Sequence, residues 1–236
     1  MTHDLARRVR ALLRRPVPGV YLNSAAEGLP LDSAGVAYER YLDAKSRGSS
    51  GRAIFDEIED DARRSFAALL RVPPNDVGFV ASTSRGLDAV VKSIEWLPGD
   101  SIVLPSTEFP TALFAARLLA SRGVVVRSVG VAADGTLDEA NLVAAVDETT
   151  RLVPISLVLF KSAAIVDIAP VVERAQRVGA HVVLDSYQGG VGHGGMAFGG
   201  GMDRSSIHCT KNSPYRVMDI RRLQRCWETI RIGHRG

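Results

Sequence analysis

Cysteine, lysine and aromatic residues are all scarce in this chain of 236 residues. The two cysteines, Cys209 and Cys226, share no CxxC spacing. Such a pair builds neither a disulfide framework nor a zinc site, and no metal is expected. No apolar run approaches the roughly 18–20 residues that a membrane helix needs. Aromatics make up 6% of the chain and do not interleave with a basic run, which argues against nucleic-acid binding. A charge excess is missing as well, since the net charge is only +3. The lysines are Lys45, Lys92, Lys161 and Lys211, so amine chemistry has few places to occur. Thr2 to Leu13 is Arg-rich and amphipathic. A first surface helix explains it, with a transit peptide as the alternative. The expected compartment is the cytoplasm.

Against these absences stands a regular alternation. Helical spacing predicts helices over 31–46 and 53–71, the second with Ile54, Ile58, Ala62 and Phe66 on one face. Val77 to Val80 reads as a strand, and 85–96 as a helix. Ser101 to Leu104, Val124 to Val129, Leu152 to Leu159 and His181 to Leu184 read as further strands. Helices over 110–121 and 137–147, and one through Ile168 to Val178, lie between them. Thr136 and Glu139 suggest a capping box. Aliphatic strands alternating with helices predict an α/β fold: a mostly parallel sheet with helices on both faces.

After Gln188 the composition changes. Residues 189–201 hold eight glycines, and no strand-like apolar run follows. Gly190 to Gly195 fits GxGxxG, but no helix pattern or strand-end acid follows it, so dinucleotide binding is not expected. One hypothesis for the tail is an out-of-frame reading of its gene.

The most informative stretch is Val182-Val183-Leu184-Asp185-Ser186-Tyr187-Gln188. The C-terminal end of a strand is where ligands sit in such a sheet, and Asp185 stands there. A turn or helix-cap aspartate is the alternative. Thr83-Ser84 follows a strand and opens a helix, a place suited to phosphate or to simple capping.

Four segments together, Tyr21 to Ala26, Ser82 to Asp88, Ser106 to Thr111 and Leu184 to Gln188, carry a resemblance. In this order and spacing they resemble the class V aminotransferase family of pyridoxal-phosphate enzymes, which includes cysteine desulfurases and kynureninases. The resemblance runs from about residue 20 to residue 193. It implies the large domain of the fold type I enzymes, in part, over residues 1–188 with the N-terminal segment. Residues 189–236 form an atypical tail on this reading, and the family's smaller C-terminal domain is not found.

The resemblance also implies a cofactor, pyridoxal 5′-phosphate, and roles for particular residues. Asp185 would keep the pyridine nitrogen protonated, since an opposite charge favours the charged form. Gln188 would reach the ring hydroxyl, Thr83 and Ser84 the phosphate, and Phe109 would stack on the ring. Lys211, 26 residues after Asp185, would hold the cofactor covalently, although its context, His208-Cys209-Thr210, departs from the family pattern. Asp203 matches a frequent family aspartate, and Lys161 a position beside the cofactor. The implied substrate is an amino acid. Transamination, desulfuration and side-chain cleavage all stay open, and the family is homodimeric. The alternative is a truncated, inactive relative that binds at most cofactor or a partner chain.

Overall fold

The computed structural model describes residues 7–8, 10–15, 17, 19–23, 28–70, 72–188 and, by backbone alone, 207–210. The chain divides into two compact units, Met1–Ser65 and Phe66–Gly236.

In the first unit, helix α1 covers Asp32–Ser46. Helix α2, Arg52–Leu70, begins there, and the division falls within it. A 3-10 turn at Gly48–Gly51 joins the two. Gly48 has φ +60°, and a Cβ on Gly51 would lie 1.8 Å from the Ala44 carbonyl oxygen, so this turn requires both glycines. Tyr41 packs between Tyr38 and Phe55, with ring centroids 6.1 and 5.3 Å away.

The second unit is the α/β fold that the alternation predicts. Helix α3 (Thr83–Ser93) precedes β1 (Ser101–Pro105). Then come α4 (Pro110–Ala120), β2 (Val125–Val129), α5 (Glu139–Ala145) and β3 (Thr150–Ser156). Helix α6 (Ala169–Val178) leads to β4 (His181–Ser186), and β5 is Ile207–Thr210. The five strands pair in the order β2-β1-β3-β4-β5, and every ladder is parallel.

The period-two alternation of strand side chains explains why these strands read as continuous apolar runs. Val103, Val153, Ile155, Val182 and Leu184 face one way, into a core with Leu142, Val171 and Ala175 of α5 and α6. Ile102, Leu104, Leu152 and Val183 face the other way, against Leu87, Val90, Ala116 and Leu119 of α3 and α4. Both faces are therefore covered.

Three local expectations are corrected. Val77–Val80 is not a strand. Val77 is fully buried against Ala67 and Leu70 at the end of α2, which accounts for its apolar character without a ladder. Thr136 and Glu139 do not form a capping box. Asp138 caps α5 by accepting from the N–H groups of Ala140 and Asn141, while Asp134 accepts from the N–H and hydroxyl of Thr136. Glu139 Oε1 instead accepts from Asp167 N–H at 3.3 Å. Finally, a strand does follow Gln188: β5 pairs with β4 through Val183↔Ile207 to Ser186↔Thr210. A backbone ladder needs no aliphatic run, so hydropathy could not announce it. Among the described residues no helix is long and apolar enough to cross a membrane.

Candidate functional site

The strand order creates one special place. The chain passes from β1 to β2 on one side, then crosses back to β3 on the other. Such a reversal leaves a crevice outside the C-terminal ends of the two diverging strands, here β1 and β3. A cleft opens at this end, with about 390 Å³ of unfilled space continuous with solvent. Thr83, Glu108, Phe109, Thr111, Val183 and Asp185 are among its walls.

Helix α3 contributes its N-terminus. It starts two residues earlier than the spacing predicts, which puts Thr83 and Ser84 in the first turn. Ser82 is the cap, and its hydroxyl accepts from Arg85 N–H at 3.1 Å. First-turn N–H groups have no acceptor within a helix, and the helix dipole makes this end positive. The Ser84 hydroxyl lies 3.0 Å from the Thr111 hydroxyl in the first turn of α4. Two helix starts thus present hydroxyls side by side.

Phe109 immediately precedes α4, whose first residue is Pro110. Phe109 is 41% exposed, high for so large an apolar ring. Phe160 meets it edge-on, with centroids 5.3 Å apart and planes at 70°. Lys161 Nζ lies 5.8 Å from the Phe160 ring centre.

Asp185 stands at the end of β4, on the same face as Val183, so it points toward α3 and α4. Its neighbour across the ladder is Ser156 of β3. Asp185 Oδ1 accepts from Tyr187 N–H at 2.8 Å. One oxygen of this aspartate thus serves the turn after β4, and the residue stands among the walls of the cleft. Gln188 lies half-buried in the turn after β4 and is not among the described walls of the cleft.

Sequence reasoning assigned no role to Glu108. It is 2% exposed, in the loop after β1. Ser156 donates to it twice, N–H to Oε1 at 2.6 Å and hydroxyl to Oε2 at 2.8 Å. Phe109 N–H donates to Oε2 at 3.1 Å. Burial pushes this carboxyl above its ordinary range. The bonds from Ser156 and Phe109 oppose that shift, and Asp185 adds to it. The missed signal was the one used for Asp185, an acid just past a buried strand. Two further polar atoms, Thr107 Oγ1 and Ser186 Oγ, are buried at this rim without a hydrogen-bond partner among the described residues. Unmet polar groups are rare in an ordinary core.

Of the expected site residues, Thr83, Phe109 and Asp185 share the cleft, and Ser84 joins it through Thr111. Lys211 lies outside the described residues, as do Asp203, Cys226 and the Gly190–Gly195 pattern. Strand β5 ends at Thr210, directly before Lys211 in sequence. Among the described residues no cluster of His, Cys, Asp or Glu could hold a metal.

Comparison with known proteins bears on this arrangement. A cysteine desulfurase of Dickeya dadantii is 32% identical over 199 residues, covering 77% of this chain and 48% of its own length. A probable cysteine desulfurase of Methanothermobacter thermautotrophicus is 28% identical over 194 residues, with 77% and 47% covered. The chain spans about half the length of these curated relatives. Among solved structures, the cysteine desulfurase CsdA of Escherichia coli superposes with a TM-score of 0.68 at 22% identity, over 78% of this chain and 49% of that one. A cystine C–S lyase in complex with its product, cysteine persulfide, gives a TM-score of 0.65 at 22% identity, over 75% and 49%. These two likenesses show the fold. The family profile described as aminotransferase class V matches residues 20–197, a span that contains the cleft and all of its described walls, and the chain belongs to that family.

Proposed function

We propose that this chain binds pyridoxal 5′-phosphate in the cleft and serves the transformation of an amino acid. The observation that carries the reading is the meeting of Thr83, Phe109 and Asp185, from three distant stretches of sequence, in one cleft at the switch point. The donor set suits this group. A carboxylate can face a ring nitrogen, an exposed aromatic ring can stack, and hydroxyls at a helix start can hold a phosphate. When bound, the cofactor supplies an electron sink for bonds at the substrate's Cα.

Each residue then has a definite task. Asp185 holds a proton on the ring nitrogen by Coulomb attraction. Thr83, Ser84 and the first-turn N–H groups of α3 would donate to the phosphate oxygens. Phe109 covers one ring face and excludes water from it. Gln188 orients the ring hydroxyl, and Lys211 Nζ supplies the covalent attachment, both by family resemblance. Residues 1–188 would hold the N-terminal segment and the cofactor-binding domain, and the expected assembly is a homodimer.

The relatives named as cysteine desulfurases make cysteine the first substrate to try. Transamination, desulfuration and side-chain cleavage make the same demands on these residues, so the proposal covers the three together. The test is an absorbance titration of the chain with pyridoxal phosphate, followed by addition of amino acids. A saturable visible band that changes on adding one of them is the expected result. A chain that gives no saturable band contradicts the reading.

A further inference from the structure

We propose that Glu108 is a positioning residue: it clamps Phe109 to the strand end that carries Ser156 and, beside it, Asp185. The inference rests on the cofactor reading above and extends it to a residue outside the expected contact set.

Both Glu108 oxygens are engaged, and by different backbones. Oε1 takes Ser156 N–H at 2.6 Å, while Oε2 takes the Ser156 hydroxyl at 2.8 Å and Phe109 N–H at 3.1 Å. Ser156 pairs with Asp185 in the β3–β4 ladder, and Leu157 N–H donates to the Asp185 carbonyl at 2.9 Å. One carboxylate therefore spans the crevice between the diverging strands, from the carrier of the ring to the neighbour of the acid. Phe109 needs such a hold. The residue is 41% exposed and Phe160 meets its ring edge-on, so the position of its backbone helps to set where the ring stands. An apolar side chain would fill this place without the penalty of a second carboxylate in the cleft. What a carboxylate adds is two oxygens that accept from two separate backbone N–H groups. Glutamine keeps the shape but offers one such oxygen, so one N–H would face an NH₂.

The test is a double-mutant cycle on the dissociation constant of pyridoxal phosphate, measured by absorbance on the full chain, with Glu108→Gln, Phe109→Ala and the pair. Melting temperatures are recorded without cofactor. Each single change is expected to raise the constant about tenfold, while Glu108→Gln in the Phe109→Ala background changes it by less than about twofold. Additive losses would overturn the proposal, because they mean that Glu108 acts without Phe109. If Glu108→Gln does not fold, Ser156→Ala, which removes one tie of the clamp, takes its place in the cycle under the same criterion. A wild-type chain that binds no pyridoxal phosphate sinks the cofactor reading, and this inference with it. Binding with additive losses sinks the inference alone.

Discussion

Ser156 and Asp185 are direct neighbours across the β3–β4 ladder, and through Ser156 the buried Glu108 reaches the same rim. The cleft is thus organised by strand ends, with an acid at its floor. Replacing Asp185 by Asn keeps the shape and removes the charge. On the proposed function this costs a charge-assisted contact, about 1.5–3 kcal/mol, or about 10- to 150-fold in the dissociation constant of pyridoxal phosphate. Equilibrium titration of the variant checks it.

The paired hydroxyls of Ser84 and Thr111 make a separate prediction. Ser84→Ala should weaken pyridoxal phosphate about tenfold, since a hydrogen bond to a charged group is lost. Pyridoxal, which lacks the phosphate, should bind wild type and variant alike. Competition by inorganic phosphate, measured on both, gives an independent reading of the same site.

Glu108 predicts a pH dependence of stability. Its carboxyl is raised above 4.5 by burial, so the folded chain keeps this proton to higher pH than the unfolded chain does. Its contribution is then most favourable below that ordinary value and is lost as pH rises through the raised one. Glu108→Gln removes that slope. Urea unfolding at several pH values above 4.5 should show a flatter stability profile for the variant than for wild type.

Asp147 predicts the opposite sign at lower pH. The Thr149 hydroxyl, 2.7 Å away, and Arg127 hold its carboxyl down at about 2. Its contribution is present above the ordinary value of 3.8 and is lost as pH falls toward 2. Asp147→Asn should therefore lower stability at neutral pH, and the difference from wild type should vanish near pH 2. Acid titration followed by circular dichroism measures both.

Much of this was legible in the sequence, for physical reasons that differ by element. Strands β1, β3 and β4 are buried on both faces, so aliphatic runs mark them. Helices α4 and α6 follow the 3.6-residue period of a half-buried surface. Asp185 could be singled out because an acid at a strand end is out of keeping with a core, whereas Phe109, a ring that any core could hold, stood out only through the family resemblance. The misreadings have the same kind of cause. Val77–Val80 is apolar because it packs on α2, and hydropathy does not tell packing from pairing. The six residues that lead into helix α5 include Asp134, Thr136, Asp138 and Glu139, all able to cap, and only geometry chooses Asp138. Strand β5 is held by its backbone ladder, which leaves no trace in side-chain type. Glu108 escaped because its partner, Ser156, lies 48 residues away.

Borohydride reduction of the chain loaded with pyridoxal phosphate, followed by peptide mapping, tests the central claim most directly. Reduction fixes the cofactor to whichever amine holds it, and the chain offers four lysines, Lys45, Lys92, Lys161 and Lys211. The account predicts a single reduced adduct, on Lys211, that is lost or much weakened in Asp185→Asn. Labelling scattered over Lys45, Lys92 and Lys161, or no adduct at all, would contradict it.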